Sequence, residues 1–550
     1  MHIDSASTTI NGKTYTRHLL RETYRENGKV KHRTLLNLKN CSEAEIAALK
    51  LALQNKNKIA AVTTASLGIE IRQGLSIGAL LVLEKVAKSM GLVRALGNSR
   101  EGKLALFQIF ARVIDQGSRL SAVRLCTSHD IEGVLSLSSV SEEDLYQNLT
   151  WLSENQDKIE DALYQNKDKK ELFLYDVTSS YLEGEANELA EFGYNRDKKK
   201  GKKQIVIGLL CDEEGTPVSI QVFCGNTNDT KTFKDQADKV ASRFGGGSVT
   251  LVGDGGMIKG PQIEDLQEAG FHYITSIGKA QINTLIKGGV LQLSLFDNEL
   301  CEIAREGVRY ILRRNPVRMA EIRGTRESKL ARLREWVEKS NLYLEEHPKA
   351  KAETLLASLK EKIVQLGLGF VEEMLIERKI ILNIDPVKQE ECEVLDGCYV
   401  IKTDLPQEAA SKEVIHARYK ALSQVEQAFR TFKTGHLELR PVYVRKEART
   451  RGHALVVMLA YRLTRELARY WEHLNLTVEE GIGILGQYCT TELLVGGVSH
   501  GYQFAQPNAQ TEALFKAVNL TLPRKAKNGK QNETGGISTK TTLQKNRKKR

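Results

Sequence analysis

The chain has 550 residues, too many for a single hydrophobic core, so about three or four domains are expected. Apolar residues make up 41% and charged residues 27%, the composition of an ordinary globular protein. No apolar run approaches the roughly 18 residues of a membrane span and no signal-peptide core begins the chain, so we expect a cytoplasmic protein without a membrane partner. The eight cysteines lack metal-ligand spacing, which argues against structural zinc and disulfides.

The formal net charge of +11 is concentrated at the C-terminal end. Residues 524–550 contain ten Lys or Arg residues and one Glu, a net charge of +9, so residues 1–523 carry only +2. Binding to nucleic acid depends on cations placed along one track, so local basic runs are better evidence for such a partner than the total charge. We predict that residues 524–550 form a disordered basic tail.

Two domains are predicted in the N-terminal part of the chain. The dipeptides Asn11-Gly12 and Asn27-Gly28 separate segments that alternate β-branched and polar residues, which predicts a β-hairpin unit at residues 1–41. Helical periodicity and a capping box that starts at Ser141 predict a helical domain at residues 42–168. Such a bundle is suited to holding a partner.

Two segments come close to nucleotide-binding motifs but lack the required context. Residues 97–104 match a phosphate loop except that Leu104 replaces the Ser or Thr that binds magnesium, and a helix is predicted before them instead of a strand. Residues 481–486 fit GxGxxG, but no strand is predicted before them. We interpret both matches as chance.

Residues 169–280 are predicted to form an α/β region. Strands are expected at 172–181, 204–211, 218–223, 249–252 and 273–277, and helices at 230–244 and 261–269. This order predicts a mixed sheet with flanking helices. Asp176 lies within the first strand and Asp254 follows the fourth. Each has an ordinary interpretation, as an exposed strand residue or a turn residue, but adjacent strand ends can point two carboxylates at one hard metal ion.

A long insertion domain is predicted at residues 281–395. Within it, residues 309–334 contain nine Lys or Arg residues and two Glu residues. This run indicates either a solvated surface or a surface that faces DNA, and the sequence leaves both open. Residues 329–367 are predicted to form a charged helical hairpin. The α/β pattern resumes at 396–474, and a small C-terminal appendage is predicted at 475–523.

One predicted helix of the second α/β region carries an acid at the edge of its apolar face. Its N-cap is expected at Ser411. The residues expected to form its buried stripe are Leu422, Val425, Phe429 and Phe432. Tyr419, Glu426 and Lys433 recur every seven residues on an adjoining stripe. Taken alone, Glu426 would be a solvated surface residue.

Several blocks of sequence carry a resemblance to a known family. They are residues 174–179, 192–197, 204–210, 225–229, 252–257 and 419–433. In this order they resemble the DDE transposases of bacterial insertion sequences, and the last block is similar to the YREK signature of one group. The resemblance implies a ribonuclease H-like mixed sheet with flanking helices, interrupted by an insertion domain. The small β unit and the helical domain predicted above precede this catalytic core, and we expect the helical domain to bind the DNA ends.

The resemblance further implies the chemistry. Asp176, Asp254 and Glu426 would be the catalytic acids and would hold two Mg²⁺ or Mn²⁺ ions. Water would cut DNA at an element end, and the freed 3′-hydroxyl would then attack target DNA. The implied partners are double-stranded DNA, with terminal inverted repeats and target sites, and a second copy of the chain in a homodimer on DNA.

The signature also implies contacts with DNA phosphates. Tyr419 and Lys433 would be two of them, on either side of Glu426. The family pattern has Arg where this chain has Leu422, and we hypothesise that Arg430 supplies a substitute guanidinium. A basic loop also has two interpretations, a DNA contact or a solvated hairpin tip. Its cations are Lys198, Lys199, Lys200, Lys202 and Lys203.

Two alternative functions remain open at this point. A nuclease with the same core would hydrolyse DNA without joining it, and the three acids alone do not distinguish it from a transposase. A DNA-binding relic would have lost its catalytic function. The presence of all three expected acids argues against the relic.

Overall fold

The structure is a computed structural model of the chain. It describes residues 1–10, 13–54, 69–164, 171–184, 186–194, 196–197, 199–244, 249–433, 437–440, 444–495 and 498–522. The predicted tail at 524–550, the Asn11-Gly12 turn and Lys198 lie outside the described residues. None of the helices in the described ranges combines the length and the apolar character that a membrane crossing requires.

The chain divides into two compact units. The first comprises Met1–Leu81, Ser128–Ser136 and Glu479–Arg550, and the second comprises Val82–Thr127 and Leu137–Val478. The first unit therefore contains the predicted β-hairpin unit and parts of the predicted helical domain and C-terminal appendage, and the second contains the whole predicted catalytic core.

The first unit contains two three-stranded antiparallel sheets. The first sheet is formed by β1 (His2–Ile10), β2 (Lys13–Glu26) and β3 (Lys29–Asn37), and α1 (Glu43–Gln54) follows it. The second is formed by β4 (Ile69–Ser76), β15 (Cys489–Val495) and β16 (Val498–Phe504). We did not predict β4, which lies in the segment expected to be helical. It forms because its partner β15, more than 400 residues later, satisfies its backbone hydrogen bonds.

Helices dominate residues 78–164. They are α2 (Gly78–Ser89), α3 (Leu92–Leu96), α4 (Arg100–Ile114), α5 (Arg119–Ser128), α6 (Ile131–Leu135), α7 (Glu142–Glu154) and α8 (Gln156–Tyr164). The predicted capping box is present, because Ser141 and Asp144 exchange side-chain and backbone hydrogen bonds at the start of α7. The rejected phosphate-loop match is a helix start, where the Ser99 hydroxyl accepts a hydrogen bond from the Gly102 N–H.

The second unit is built on a mixed eight-stranded sheet. The strands of this part of the chain are β5 (Leu172–Tyr181), β6 (Gln204–Asp212), β7 (Pro217–Cys224), β8 (Thr250–Gly253), β9 (His272–Ile277), β10 (Cys301–Arg305), β11 (Val308–Arg314), β12 (Val371–Ile376), β13 (Lys379–Ile384) and β14 (Cys398–Thr403). The sheet order is β10-β11-β14-β9-β8-β5-β6-β7. β5, β6 and β7 form an antiparallel meander, while β8 and β9 run parallel to β5. This confirms the predicted ribonuclease H-like mixed sheet.

Helices cover both faces of this sheet. They are α9 (Asp229–Lys239), α10 (Gly260–Glu268), α11 (Lys279–Lys287), α15 (Lys412–Lys420), α16 (Leu422–Lys433) and α17 (Glu447–Trp471). The helices α12 (Pro316–Glu346), α13 (Ala352–Leu366) and α14 (Pro386–Glu393) belong to the insertion, and α18 (Val478–Gly486) and α19 (Ala509–Ala517) follow α17. Phe173, Tyr175 and Val177 of β5 pack in one apolar core with Phe233 of α9 and Leu266 of α10. α16 contacts β5 and α17 contacts β7, so the sheet is fixed by apolar packing and not by its hydrogen bonds alone.

Residues 316–393 form the insertion and have a core of their own. The predicted helical hairpin is formed by α12 and α13, and Leu333, Leu359 and Phe370 lie in its apolar cluster. β10 and β11, which we had assigned to the insertion, pair with the main sheet instead. Part of the basic run is thereby used in the fold, because Arg309 is buried and pairs with Glu302 at 2.6 Å.

Candidate active site

Strand register brings two of the three predicted acids side by side. β5 pairs in parallel with β8, and the last aligned pair is Leu174 with Val252. Two residues further along both strands, the same register places Asp176 next to Asp254. Because side chains alternate along a strand, both acids project from the face that carries Leu174.

Hydrogen bonds from the backbone hold one oxygen of each aspartate. The Val177 N–H donates to Asp176 Oδ1 at 2.8 Å, and the Gly255 N–H donates to Asp254 Oδ1 at 2.8 Å. Ser276 of β9 continues the same row, and its hydroxyl donates to Asp254 Oδ1 at 3.2 Å. Asp176 is half-buried within the sheet, whereas Asp254 is exposed. The two aspartates are therefore oriented by the sheet itself.

The third acid comes from helix α16. We predicted one continuous helix from Ser411, but the structure has α15 and α16, separated at Ala421. Ser411 is the N-cap of α15, as predicted, and its hydroxyl accepts a hydrogen bond from the Val414 N–H. α16 buries Val425, Ala428, Phe429 and Phe432 against the sheet, while Leu422 is only half-buried. Glu426 is exposed at the edge of that face.

The three acids line one cavity, which we call the acidic cavity and define by Asp176, Asp254 and Glu426. Its volume is about 600 Å³, and Tyr419, Arg430 and Lys433 also line it. The acids share the cavity without meeting at a single point: among the residues that the structure describes, no three His, Cys, Asp or Glu side chains are placed to hold one metal ion together.

Burial and mutual repulsion raise the pKa of Asp176 to about 7. Burial is the largest cause, and the negative charges of Glu426 and Asp254 add to it. The hydrogen bond from Val177 and the positive charge of Arg196 act in the opposite direction without cancelling the rise. A half-buried carboxyl group that two neighbouring carboxylates repel is disfavoured as an anion, and a bound cation would favour its charged form.

The sequence-predicted DNA contacts have different surroundings. Tyr419 is half-buried, and burial raises the pKa of its hydroxyl. Lys433 Nζ donates to Asp197 Oδ1 at 2.8 Å. Arg430 is exposed, and it makes no hydrogen bond or ion pair with any other residue in the described ranges.

The basic loop after β5 lies beside exposed or half-buried aromatic rings. Lys199 Nζ lies 5.8 Å from the ring centre of Tyr181, and Lys203 Nζ lies 5.9 Å from that of Phe192. Lys202 Nζ is 3.7 Å from a carboxylate oxygen of Glu183, and Lys200 is exposed. None of these four lysines lines the acidic cavity.

Sequence reasoning missed two residues of the site. Arg196 lines the acidic cavity and donates to both carboxylate oxygens of Asp229, at 2.7 and 2.6 Å. It belongs to a block that we used for the resemblance, but nothing local marked it as a site residue. Ser276 could have been found from the strand register, which continues the row of Asp176 and Asp254 onto β9.

Two family models match this chain. Residues 167–463 match the family model of the transposase DDE domain, and residues 3–65 match that of the N-terminal domain of IS1634 family transposases. Curated proteins give no significant match. A solved structure described as the piggyBac transposase synaptic complex with hairpin DNA aligns over 82% of each chain, with 8% sequence identity and a TM-score of 0.36. That likeness is too distant to support an argument about this chain.

The match to the DDE domain extends over more than half of the sequence and contains all three acids. It confirms the predicted transposase function and favours neither the nuclease nor the relic. The chain belongs to the family of DDE transposases.

Proposed function

We propose that this transposase cleaves double-stranded DNA at the ends of its insertion sequence and joins the freed 3′-hydroxyl groups to target DNA. The observation that carries the proposal is the acidic cavity, where carboxylates from β5, the end of β8 and α16 face one space. Three acids so far apart in sequence come together only through the fold. The cations at the same cavity, Arg196, Arg430 and Lys433, fit a polyanionic substrate.

Divalent metal ions are part of the proposal. The oxygen atoms of Asp176, Asp254 and Glu426 are the hard ligands that Mg²⁺ and Mn²⁺ prefer. The raised pKa of Asp176 supports this assignment, because a bound cation would offset the burial and repulsion that disfavour its ionised form. Two such ions would supply positive charge to the attacking and the leaving oxygen of the phosphodiester.

The chain itself orients the acids. Val177 and Gly255 fix one oxygen of each aspartate through backbone N–H groups, and Ser276 adds a third donor. In each aspartate the second oxygen, Oδ2, then remains available to a ligand. The buried apolar face of α16 fixes the third acid, because Phe429 and Phe432 hold the helix against the sheet.

DNA phosphates would bind next to the acids. We propose that a DNA phosphate replaces the Asp197 carboxylate as the partner of the Lys433 ammonium group, since the phosphate and the carboxylate are both anions. Arg430, exposed in the same cavity, would supply the guanidinium that the family signature has at the position of Leu422. The loop lysines 199, 200, 202 and 203 would extend the cationic track along the DNA backbone.

The proposal includes a homodimer that bridges the two element ends and acts in the cytoplasm, on the host DNA. This part rests on the family resemblance. The helical domain would hold the terminal inverted repeats, and the catalytic core would then act on the adjacent phosphodiester.

A joining assay tests the proposed reaction. The full chain is incubated with Mg²⁺, labelled DNA that carries the two ends flanking its gene, and a supercoiled target plasmid. A transposase gives labelled DNA covalently joined to the plasmid. Cut ends without joined product would support the nuclease, and uncut DNA bound tightly by the protein would support the relic.

A further inference from the structure

A second cavity in the same unit is lined mainly by positive charge. Its volume is about 250 Å³, and its walls come from the end of α4, the start of α5, α7, α17 and the segment between α16 and α17. We call it the arginine cavity. The residues that define it are Arg112, Arg119, Tyr146, Glu438, Arg440 and His453.

Two of its guanidinium groups are almost fully buried. Arg112 is 5% exposed and Arg119 is 7% exposed. Burial lowers the pKa of Arg112 to about 10 and that of Arg119 to about 9, and each value is still high enough to keep the group charged at neutral pH. The positive charge of Arg112 lowers the pKa of Arg119 further. Two cations are therefore kept close together away from water.

No acid in the described part of the chain pairs with Arg119. One of its Nη2 hydrogens is donated to His453 Nδ1 at 3.0 Å, and none of the residues that the structure describes accepts a hydrogen bond from its Nε. Within the described ranges neither Arg119 nor Arg112 forms an ion pair, although Glu438 and Asp115 lie close enough to Arg112 to stabilise its charge. Arg309, by contrast, is a buried arginine whose charge is compensated. It is as buried as Arg112, but it pairs with Glu302 and donates to two carbonyl oxygens.

His453 holds Arg119 in place as a neutral ring. Its Nε2 lies 3.2 Å from the Leu439 carbonyl oxygen, which can only accept, so Nε2 carries the hydrogen. Nδ1 is then free to accept from Arg119. Burial, followed by the charges of Arg119 and Arg112, lowers the pKa of His453 well below its ordinary value. His453 is a positioning residue for the guanidinium.

Backbone donors at the same cavity are also available. Gly117, Ser118 and Arg119 line it just before and at the start of α5, and in the described part of the chain no acceptor takes a hydrogen bond from their N–H groups. The N-terminal end of a helix carries a partial positive charge and favours anions. Arg119, with its unpartnered Nε, and the residues at the start of α5 thus line one space. Glu438 lines it too, and within the described ranges its Oε1 accepts no hydrogen bond.

We propose that the arginine cavity is an anion site that binds a phosphate group. A tetrahedral oxyanion would accept hydrogen bonds from the N–H groups at the start of α5, and its charge would neutralise the two buried guanidinium groups that line the cavity. A volume of about 250 Å³ admits a phosphate group and part of what it is attached to. Arg440, which shares its charge with Glu183 at 3.8 Å and Glu438 at 3.6 Å, would be the third cation.

The phosphate has two possible sources, DNA or free phosphate in solution. If the source is DNA, the site would anchor the backbone of the element end at a point separate from the acidic cavity. Only this choice of source rests on the proposed function. Binding of a phosphate group itself does not depend on cleavage.

Thermal unfolding of the full chain without DNA or metal tests the site directly. Inorganic phosphate is expected to raise the melting temperature above the value in sodium chloride of equal ionic strength, because it binds the folded state. Arg119→Gln should remove at least half of that rise. Arg309→Gln, which removes an equally buried but compensated guanidinium, should lower the melting temperature and keep the response to phosphate.

Two results would overturn the proposal: a wild-type chain that responds equally to phosphate and chloride, or an Arg119→Gln variant that retains the full response. If Arg119→Gln does not fold, a crystal of the wild-type chain soaked in tungstate decides instead, because an anomalous peak is expected between Arg112 and Arg119. An empty cavity in that crystal would contradict the site. The joining assay tests the proposed function separately, so a failure of the anion site in either experiment would not change its outcome.

Fluorescence anisotropy with labelled duplex distinguishes the two sources. If DNA is the source, Arg119→Gln should reduce the slope of log affinity against log salt by about 1, which is the loss of one phosphate contact. If the variant loses the thermal response to phosphate while its affinity and salt slope for DNA stay unchanged, free phosphate is the occupant.

Discussion

The acidic cavity and the arginine cavity lie in the same unit and gather side chains of opposite charge. The first gathers three carboxylates, and burial and repulsion raise the pKa of Asp176 to about 7. The second gathers two buried guanidinium groups, and burial lowers the pKa of Arg119 to about 9. In both, neighbouring like charges add to the cost of burial. A fold that keeps such groups uncompensated leaves room for a ligand of the opposite charge.

The two cavities also differ in how their charged groups are held. Backbone N–H groups orient Asp176 and Asp254 from within the strands, so their geometry depends on sheet register. Arg119 is oriented by His453 from another helix, so its geometry depends on helix packing. Substitutions in the first cavity should therefore affect chemistry more than stability, whereas those in the second should affect stability and anion binding together.

The largest effect is expected from removing an acid of the first cavity. Asp176→Asn, Asp254→Asn and Glu426→Gln should each lower the rate of end cleavage by at least about 10³-fold. When residues act as one catalytic unit, the loss of any one of them removes most of the activity of the unit. Binding of the ends, measured by anisotropy, should be retained. Glu413→Gln, an exposed acid of α15 outside the cavity, is the matched control and should cleave normally. A normal rate in any of the three variants would remove that residue from the site.

A smaller effect is expected from Arg430, which we place as a substitute for the missing signature arginine. Arg430→Ala should lower the rate of end cleavage about tenfold by removing one charge-assisted contact with a phosphate. Arg418, a basic residue of the preceding helix that does not line the cavity, provides the control variant Arg418→Ala. Unchanged cleavage by Arg430→Ala would show that Arg430 does not replace the arginine that the family signature has at the position of Leu422.

The smallest effect concerns pH and stability in the second cavity. The folded state holds His453 with a pKa well below its ordinary value of 6.5, so the unfolded chain binds a proton at mildly acidic pH that the folded chain does not. The stability contributed by neutral His453 is therefore complete above about pH 6.5 and falls as the pH falls, by up to about 1.4 kcal/mol per pH unit.

Melting temperatures between about pH 5 and about pH 8 check this expectation. His453→Gln should show a weaker decline in acid than the wild-type chain, whereas His473→Gln, at an exposed position, should follow the wild type. If phosphate occupies the arginine cavity, it should reduce the decline, because an anion offsets the charge that protonated His453 would add. Equal declines in all three chains would show that His453 does not control acid stability.

Local patterns were enough to predict much of the fold. β5 has the predicted bounds, Leu172–Tyr181, and the capping box at Ser141 is present, since both depend on neighbouring residues. The break at Ala421 was missed because no Gly or Pro marks it. The pairing of β4 with β15 was missed because a strand partner more than 400 residues away leaves no local signal.

The same distinction applies to the two cavities. The acids were predicted through the family resemblance, and all three line one cavity. The arginine cavity could not be predicted, because Arg119 and His453 are 334 residues apart and neither lies in a basic run. A buried cation without an acid is a property of packing, and periodicity alone does not reveal it.

The most direct test of the central claim, that the three acids form one catalytic site, is the yield of joined DNA in the plasmid assay for single and double variants. Asp176→Asn, Glu426→Gln and the double variant should all fall to the same background, because each substitution alone disables the shared site. Two single variants that each retain measurable joining, and whose losses multiply in the double variant, would show that the acids act independently and would contradict it.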